Sequence, residues 1–224
     1  MNSNPVFILG LDSADFRLCE KWAKQGEMPH FKALMERSQR LRVKNPFGFE
    51  AGSLWPCFNM VADVDMHGLH DGFNLFDTDR YNRRRMSLDE NQCAYFWERL
   101  SQAGYRVMVI DPPYVPLVDN INGRQVVDWM THVRTGDTWL QTSPSELAVG
   151  IREKYGMNPI SRSDSSCPCD DNRPETPDEL LEMQDGLKDR IRSKTDLITT
   201  WLKDERWDYC YCVYHETHDM GHMS

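Results

Sequence analysis

The run Pro5 to Leu11 is continuously apolar, a pattern that predicts a central parallel strand buried on both faces. Asp12-Ser13-Ala14-Asp15 follows with helix-capping side chains, and Phe16, Cys19 and Trp22 then recur at helical spacing. Gly26 closes that helix, and Pro29 opens another through Phe31, Leu34 and Met35. Leu41 to Val43 reads as a short strand, and Pro46 to Gly52 as irregular chain. Leu54 to Val64 reads as a helix with Pro56 tolerated in its first turn. His67 to Asn74 has loop composition.

Alternating α/β construction becomes explicit further on. Tyr95 to Ala103 predicts a helix, Gly104 a stop, and Tyr105 to Ile110 a strand ending at Asp111-Pro112-Pro113. Val126 to Trp129 is a candidate strand, and Ser145 to Tyr155 a helix. Asn158 to Pro177 is polar and rich in Ser, Pro and Asp, which predicts an exposed loop or lid insertion. Leu180 to Leu202 carries an amphipathic stripe of Leu187, Ile191, Leu197, Ile198 and Trp201, and Trp207 to Tyr214 predicts the last strand. The expected fold is a single α/β domain over residues 1–224, with a mostly parallel sheet flanked by helices on both faces.

Composition narrows the function classes. With 224 residues, 40% of them hydrophobic, the chain can bury a full core. Its net charge of −9 argues against a nucleic-acid surface, which needs a basic stripe. The triplet Arg83-Arg84-Arg85 reads as a solvated loop patch. A small phosphorylated or otherwise esterified substrate stays open, because a bound cation would dominate the local field. Seven cysteines with no CxxC pair predict reduced, structural thiols. No apolar stretch reaches the ~20 residues a membrane helix requires, and no signal pattern is present at the start. The expected location is cytoplasmic, with no membrane partner.

Three predicted strands end in ionisable residues: Asp12, Asp111, and the cluster His215-Glu216-Thr217-His218-Asp219-Met220-Gly221-His222. If the strands are parallel, all three ends share the rim where open α/β sheets bind ligands. His218 and His222 are four apart, so one helical face can present both imidazoles to a divalent cation such as zinc. Glu216 and Asp219 are alternatives, either touching the metal or orienting its ligands. Plainer readings remain beside these. Asp12 can cap the following helix, Asp111 can be a turn residue, and the histidines can sit at a polar helix start.

These residues, taken together, resemble the type I phosphodiesterase/nucleotide pyrophosphatase branch of the alkaline phosphatase superfamily. Val6 to Asp15 resembles that family's strand ending in a metal-binding aspartate, and Gly26 to Leu34 resembles its G-x-x-P-x-L-x-x-L helix opening. Trp55 to His67-Gly68 keeps the family's interval between an aromatic residue and an HG element. Trp129 to His132 and Glu146 to Gly156 resemble a subset of the branch, and Glu216 to His222 resembles its D-x-x-G-H ligand motif.

The resemblance implies an alkaline-phosphatase-like fold and a two-metal phosphoester hydrolase. Zinc is the expected ion and manganese an alternative. Asp12, His218 and His222 are the implied metal ligands, with His218 where the family usually has Asp. Asn74 and His132 are substrate-binding candidates. The family's nucleophile position falls on Ala51, so Ser53 is the candidate if the loop shifts by two residues. Met60-Val61 replaces the family's TG, and no S-D-H-G element occurs. The remaining ligands are therefore expected beyond Ser224, in a longer enzyme of which this is the N-terminal portion. Alternatives are a catalytically inactive metal- or ligand-binding module of the same fold, or a phosphomutase-like relative. Cys57-Phe58-Asn59 does not fit a sulfatase pattern, and the absence of GxGxxG and GxxxxGK[ST] disfavours a metal-free nucleotide-binding domain.

Overall fold

In the computed structural model of the chain, the described residues are 4–45, 51–69, 74–77, 82–85, 93–131, 138–160, 174 and 176–221. A five-stranded sheet organises them. Strand β1 (Val6–Leu11) is followed by helices α1 (Phe16–Gln25), α2 (Pro29–Glu36), α3 (Ala51–Met60) and α4 (Val64–His67). A separate antiparallel pair, β2 (Asn74–Asp77) and β3 (Asn82–Arg85), comes next. Then come α5 (Phe96–Gln102), β4 (Val107–Ile110), β5 (Gly123–Val127), β6 (Gln141–Ser143) and α6 (Leu147–Tyr155). The chain continues with α7 (Pro177–Asp204), β7 (Tyr209–Tyr214) and α8 (Glu216–Gly221). The sheet order is β1-β7-β4-β5-β6. All neighbours in it are parallel except β5 and β6, which are antiparallel.

Local chemistry explains the clearest elements. Asp15 caps α1 by accepting from the Arg17 and Leu18 amides at 2.7 and 3.2 Å. Gly26 ends it at φ 87°, a left-handed conformation that costs glycine little. In α7 a capping box joins Thr176 and Glu179, with Pro177 in the first turn. Alternate residues of the middle strands feed two apolar clusters. Met108, Ile110, Cys210 and Cys212 join Ile151 of α6 with Leu197, Ile198 and Trp201 of α7. Val109, Tyr211 and Val213 join Met60 of α3 and Trp97 of α5. Cys19, Cys57, Cys210 and Cys212 are free thiols. Among the described residues, no helix is long and apolar enough to cross a membrane.

Several sequence expectations need correction. β1 is parallel, but among the described residues it lies at the edge of the sheet and not at its centre: β7 is its neighbour there, and Phe7 and Leu9 are 48% and 50% exposed. Leu41 to Val43 is not a strand; among the described residues it pairs with no strand, and Leu41 and Val43 are almost fully exposed. The helix expected over Leu54 to Val64 begins earlier and breaks at Val61, whose φ is 51°, so Pro56 lies in the interior of α3 and not in its first turn. Arg83 to Arg85 belong to a strand, not a loop. β5 begins at Gly123 and ends at Val127, ahead of the expected Val126 to Trp129. Gly123 is at φ 149°, and a Cβ there would lie 1.8 Å from the Val107 carbonyl oxygen, so only glycine fits that close approach. Most of Asn158 to Pro177 lies outside the described residues.

Candidate functional site

Asp12 leaves the carboxyl end of β1, and its amide donates to the Tyr214 carbonyl at the end of β7 at 2.9 Å. Parallel pairing in register, Leu11 opposite Tyr214, therefore places Asp12 beside the start of the histidine cluster. Thr217 ties the two segments again, its hydroxyl donating to the Asp12 carbonyl. Asp15 satisfies the α1 amides, so capping does not consume the Asp12 carboxylate. Asp12 is buried, and its carboxylate turns to other partners.

Its Oδ1 accepts from Trp55 Nε1 at 3.0 Å. Trp55 reaches it from α3 by passing over Gly10, where a Cβ would come within 3.0 Å of the indole. The other oxygen, Oδ2, lies 3.4 Å from His215 Nδ1 and 3.3 Å from His218 Nδ1. His218 Nδ1 is also 3.0 Å from the hydroxyl of exposed Ser13, whose φ is 56°. Burial acts to raise the Asp12 pKa. The His215 hydrogen bond, the His215 and His218 charges and the Trp55 bond outweigh it and lower the pKa from 3.8 to about 2.

The tautomer of His215 follows from its second contact. Its Nε2 is 2.8 Å from the backbone carbonyl of Asp111, which can only accept, so Nε2 carries a hydrogen. Nδ1 then faces the Asp12 carboxylate either as a second donor or as a lone pair. A lone pair and a carboxylate oxygen at that separation call for a cation between them. An imidazole N–H on a backbone carbonyl is also the usual way a metal-binding histidine is oriented. Asp12 Oδ2 with the His215 and His218 Nδ1 atoms 3.4 and 3.3 Å away brings together donor types that a divalent ion accepts.

Behind this half-open cluster lies a sealed one. Asp111, at φ 50° and fully buried, accepts from the Trp129 and Met130 amides at 3.0 and 2.8 Å. Lys194 Nζ lies 3.1 Å from its carboxylate and donates to the carbonyls of Val213 and Met130. Arg190, one turn earlier on α7, donates to the Met130 carbonyl and pairs with Asp219 at 2.5 Å and Glu216 at 3.2 Å. Asp111 is therefore a buried anchor as well as a turn residue.

Of the expected site residues, Asp12 and His218 come together. Ser53 is fully buried in α3, two residues before Trp55. Asn74 opens β2, its side chain outside the described part of the structure; His132 and His222 also lie outside the described residues. Trp55, Ser13, Arg190 and Lys194 were not among the expected site residues. For the last two a signal exists: cations four apart interrupt the apolar stripe of α7, where they can only be buried. Among the described residues, no group of three or more His, Cys, Asp or Glu side chains is arranged to hold a metal ion. No protein-family model matches the chain, and no curated protein matches it either.

Proposed function

We propose that the chain carries the metal-binding part of a phosphoester hydrolase of the phosphodiesterase/nucleotide pyrophosphatase type, on an alkaline-phosphatase-like fold. The observation that carries this reading is the meeting of Asp12 Oδ2 and His218 Nδ1 at 3.3 Å, from opposite ends of the chain. Two ligand atoms bound to one tetrahedral zinc at ~2.0–2.1 Å are about 3.3 Å apart, so the pair needs little movement to share an ion. Two further features support it. Alternate residues of β4 and β7 enter separate clusters with different helices, as a sheet covered on both faces requires. The pair also sits beyond the carboxyl ends of parallel strands.

Asp12 and His218 would hold the metal, with His222, four residues on in the sequence and outside the described residues, as the further ligand. When bound, zinc or manganese would supply the positive charge that draws an anionic phosphoester and stabilises charge developing on it. Trp55 fixes Oδ1 of Asp12, and Oδ2 faces the two imidazoles where the metal would bind. The His215 ring, oriented by the Asp111 carbonyl, keeps Nδ1 turned toward that oxygen. Exposed Ser13 presents a hydroxyl 3.0 Å from His218 Nδ1, whereas Ser53 would need the start of α3 to open before it met substrate. A second reading, a module that binds metal without turnover, is favoured by the complete burial of Ser53.

Equilibrium dialysis of the purified chain against zinc and manganese, with and without His218→Ala/His222→Ala, tests the proposal. Specific binding that disappears in the double variant is expected, together with hydrolysis of an aryl phosphodiester if the site is catalytic. Wild-type chain that binds neither metal above background would sink the reading. Binding without hydrolysis would select the non-catalytic module.

A further inference from the structure

The acidic residues of the histidine cluster do not face Asp12. Glu216 and Asp219 are three apart on α8; His215, just before the helix, and His218 are also three apart, offset by one residue. On a helix that offset turns the second pair about 100° from the first. The imidazoles point to the Asp12 carboxylate, and the carboxylates point into α7, where Arg190 meets them. Arg190 is 1% exposed, and Glu216 and Asp219 are 4% and 3% exposed. One guanidinium therefore serves two buried carboxylates. Both Glu216 oxygens and Asp219 Oδ1 lack a hydrogen-bond donor among the described residues, so the charge of Arg190 is what holds them. Its other arm donates to the Met130 carbonyl at 2.7 Å, fixing the guanidinium against the end of the sheet.

We infer that Arg190 is a positioning residue that sets the metal preference of the site, by withholding Glu216 and Asp219 from the ion and leaving it imidazole donors. This rests on the metal-site reading above. Imidazole-rich sites favour zinc, and carboxylate-rich sites favour manganese and magnesium. Without Arg190 the two carboxylates have no reason to stay buried. A six-residue helix can roll by the single offset that exchanges them for the histidines.

The test measures zinc and manganese affinities by competition with a chromophoric chelator. The proteins are wild type, Arg190→Met, Arg190→Lys and the triple variant Arg190→Met/Glu216→Gln/Asp219→Asn, with far-UV circular dichroism to check each fold. Arg190→Met should lower the zinc-to-manganese affinity ratio by about tenfold or more, the usual scale for loss of a residue that orients metal ligands. The triple variant, with no carboxylates to release, should return the ratio toward wild type although it still lacks the arginine. Arg190→Lys, which keeps the buried charge, should fall between. Equal losses of both affinities without recovery in the triple variant would mean a purely structural role and overturn the inference. If Arg190→Met does not fold, a folded triple variant whose ratio has dropped overturns it, and one that keeps the wild-type ratio upholds it. Wild-type chain that binds neither metal removes the metal-site reading itself and the inference with it.

Discussion

Asp12 and Asp111 each follow an apolar parallel strand of the same sheet, yet they have opposite surroundings. Asp111 is met by partners whose charge and position are fixed: two backbone amides and the ammonium of Lys194. Asp12 is met by one indole and two imidazoles, groups that can give up their place to another cation. An aspartate closed by permanent donors stabilises the fold. One faced by exchangeable donors is what the proposed metal site requires. Strand position alone does not separate the two; the partners supplied by α7 and α8 do.

Breaking the closed end should give the largest effect. Lys194→Met leaves the Asp111 carboxylate buried without its cation, and should cost about 3–5 kcal/mol of stability. Urea unfolding measures it, and a loss under about 1 kcal/mol would erase the distinction between the two aspartates. The open end should show itself through acid. Because the Asp12 pKa lies below its unfolded value, the group adds stability above pH 3.8 and loses it as pH falls toward about 2. The shift is worth about 2 kcal/mol. In metal-free protein, Asp12→Asn should flatten that part of the stability-against-pH curve; an unchanged acid limb would contradict the assignment. The smallest effect concerns the residue that frees Asp12 from capping. Asp15→Ala should lower stability by about 1 kcal/mol and leave metal affinity unchanged, as read by thermal melts and by the same chelator competition.

How much of this was legible in the chain depends on whether the deciding contacts were local. The α1 stop at Gly26, the α5–Gly104–β4 unit, α7 and β7 are set by caps and periodicity, and they follow the sequence closely. The edge position of β1 is not local. An apolar run looks the same whether one neighbour or two flank it, and the order of strands is decided by crossovers far along the chain. β5 starts on Gly-Arg-Gln, which reads as loop. Gln125 is nevertheless fully buried, because its amide donates to the Pro116 carbonyl and its oxygen accepts from the Val118 amide. At the site, the meeting of the strand-end aspartate with the histidine cluster was readable from two apolar strands that each end in ionisable residues. Their partners were not: Trp55 arrives from a helix whose start was misplaced, and Arg190 and Lys194 were hidden inside an amphipathic pattern.

His215 has its proton placed by the carbonyl of Asp111, and a carbonyl belongs to every residue type alike. A point mutation at position 111 can remove the carboxylate and its ion pair, but it cannot delete the acceptor that orients the ring. The imidazole's bias is thus inherited through the path of the main chain, while the rest of the site is inherited through side chains. Substitutions can accordingly retune what the ring faces more readily than they can retune which nitrogen faces it.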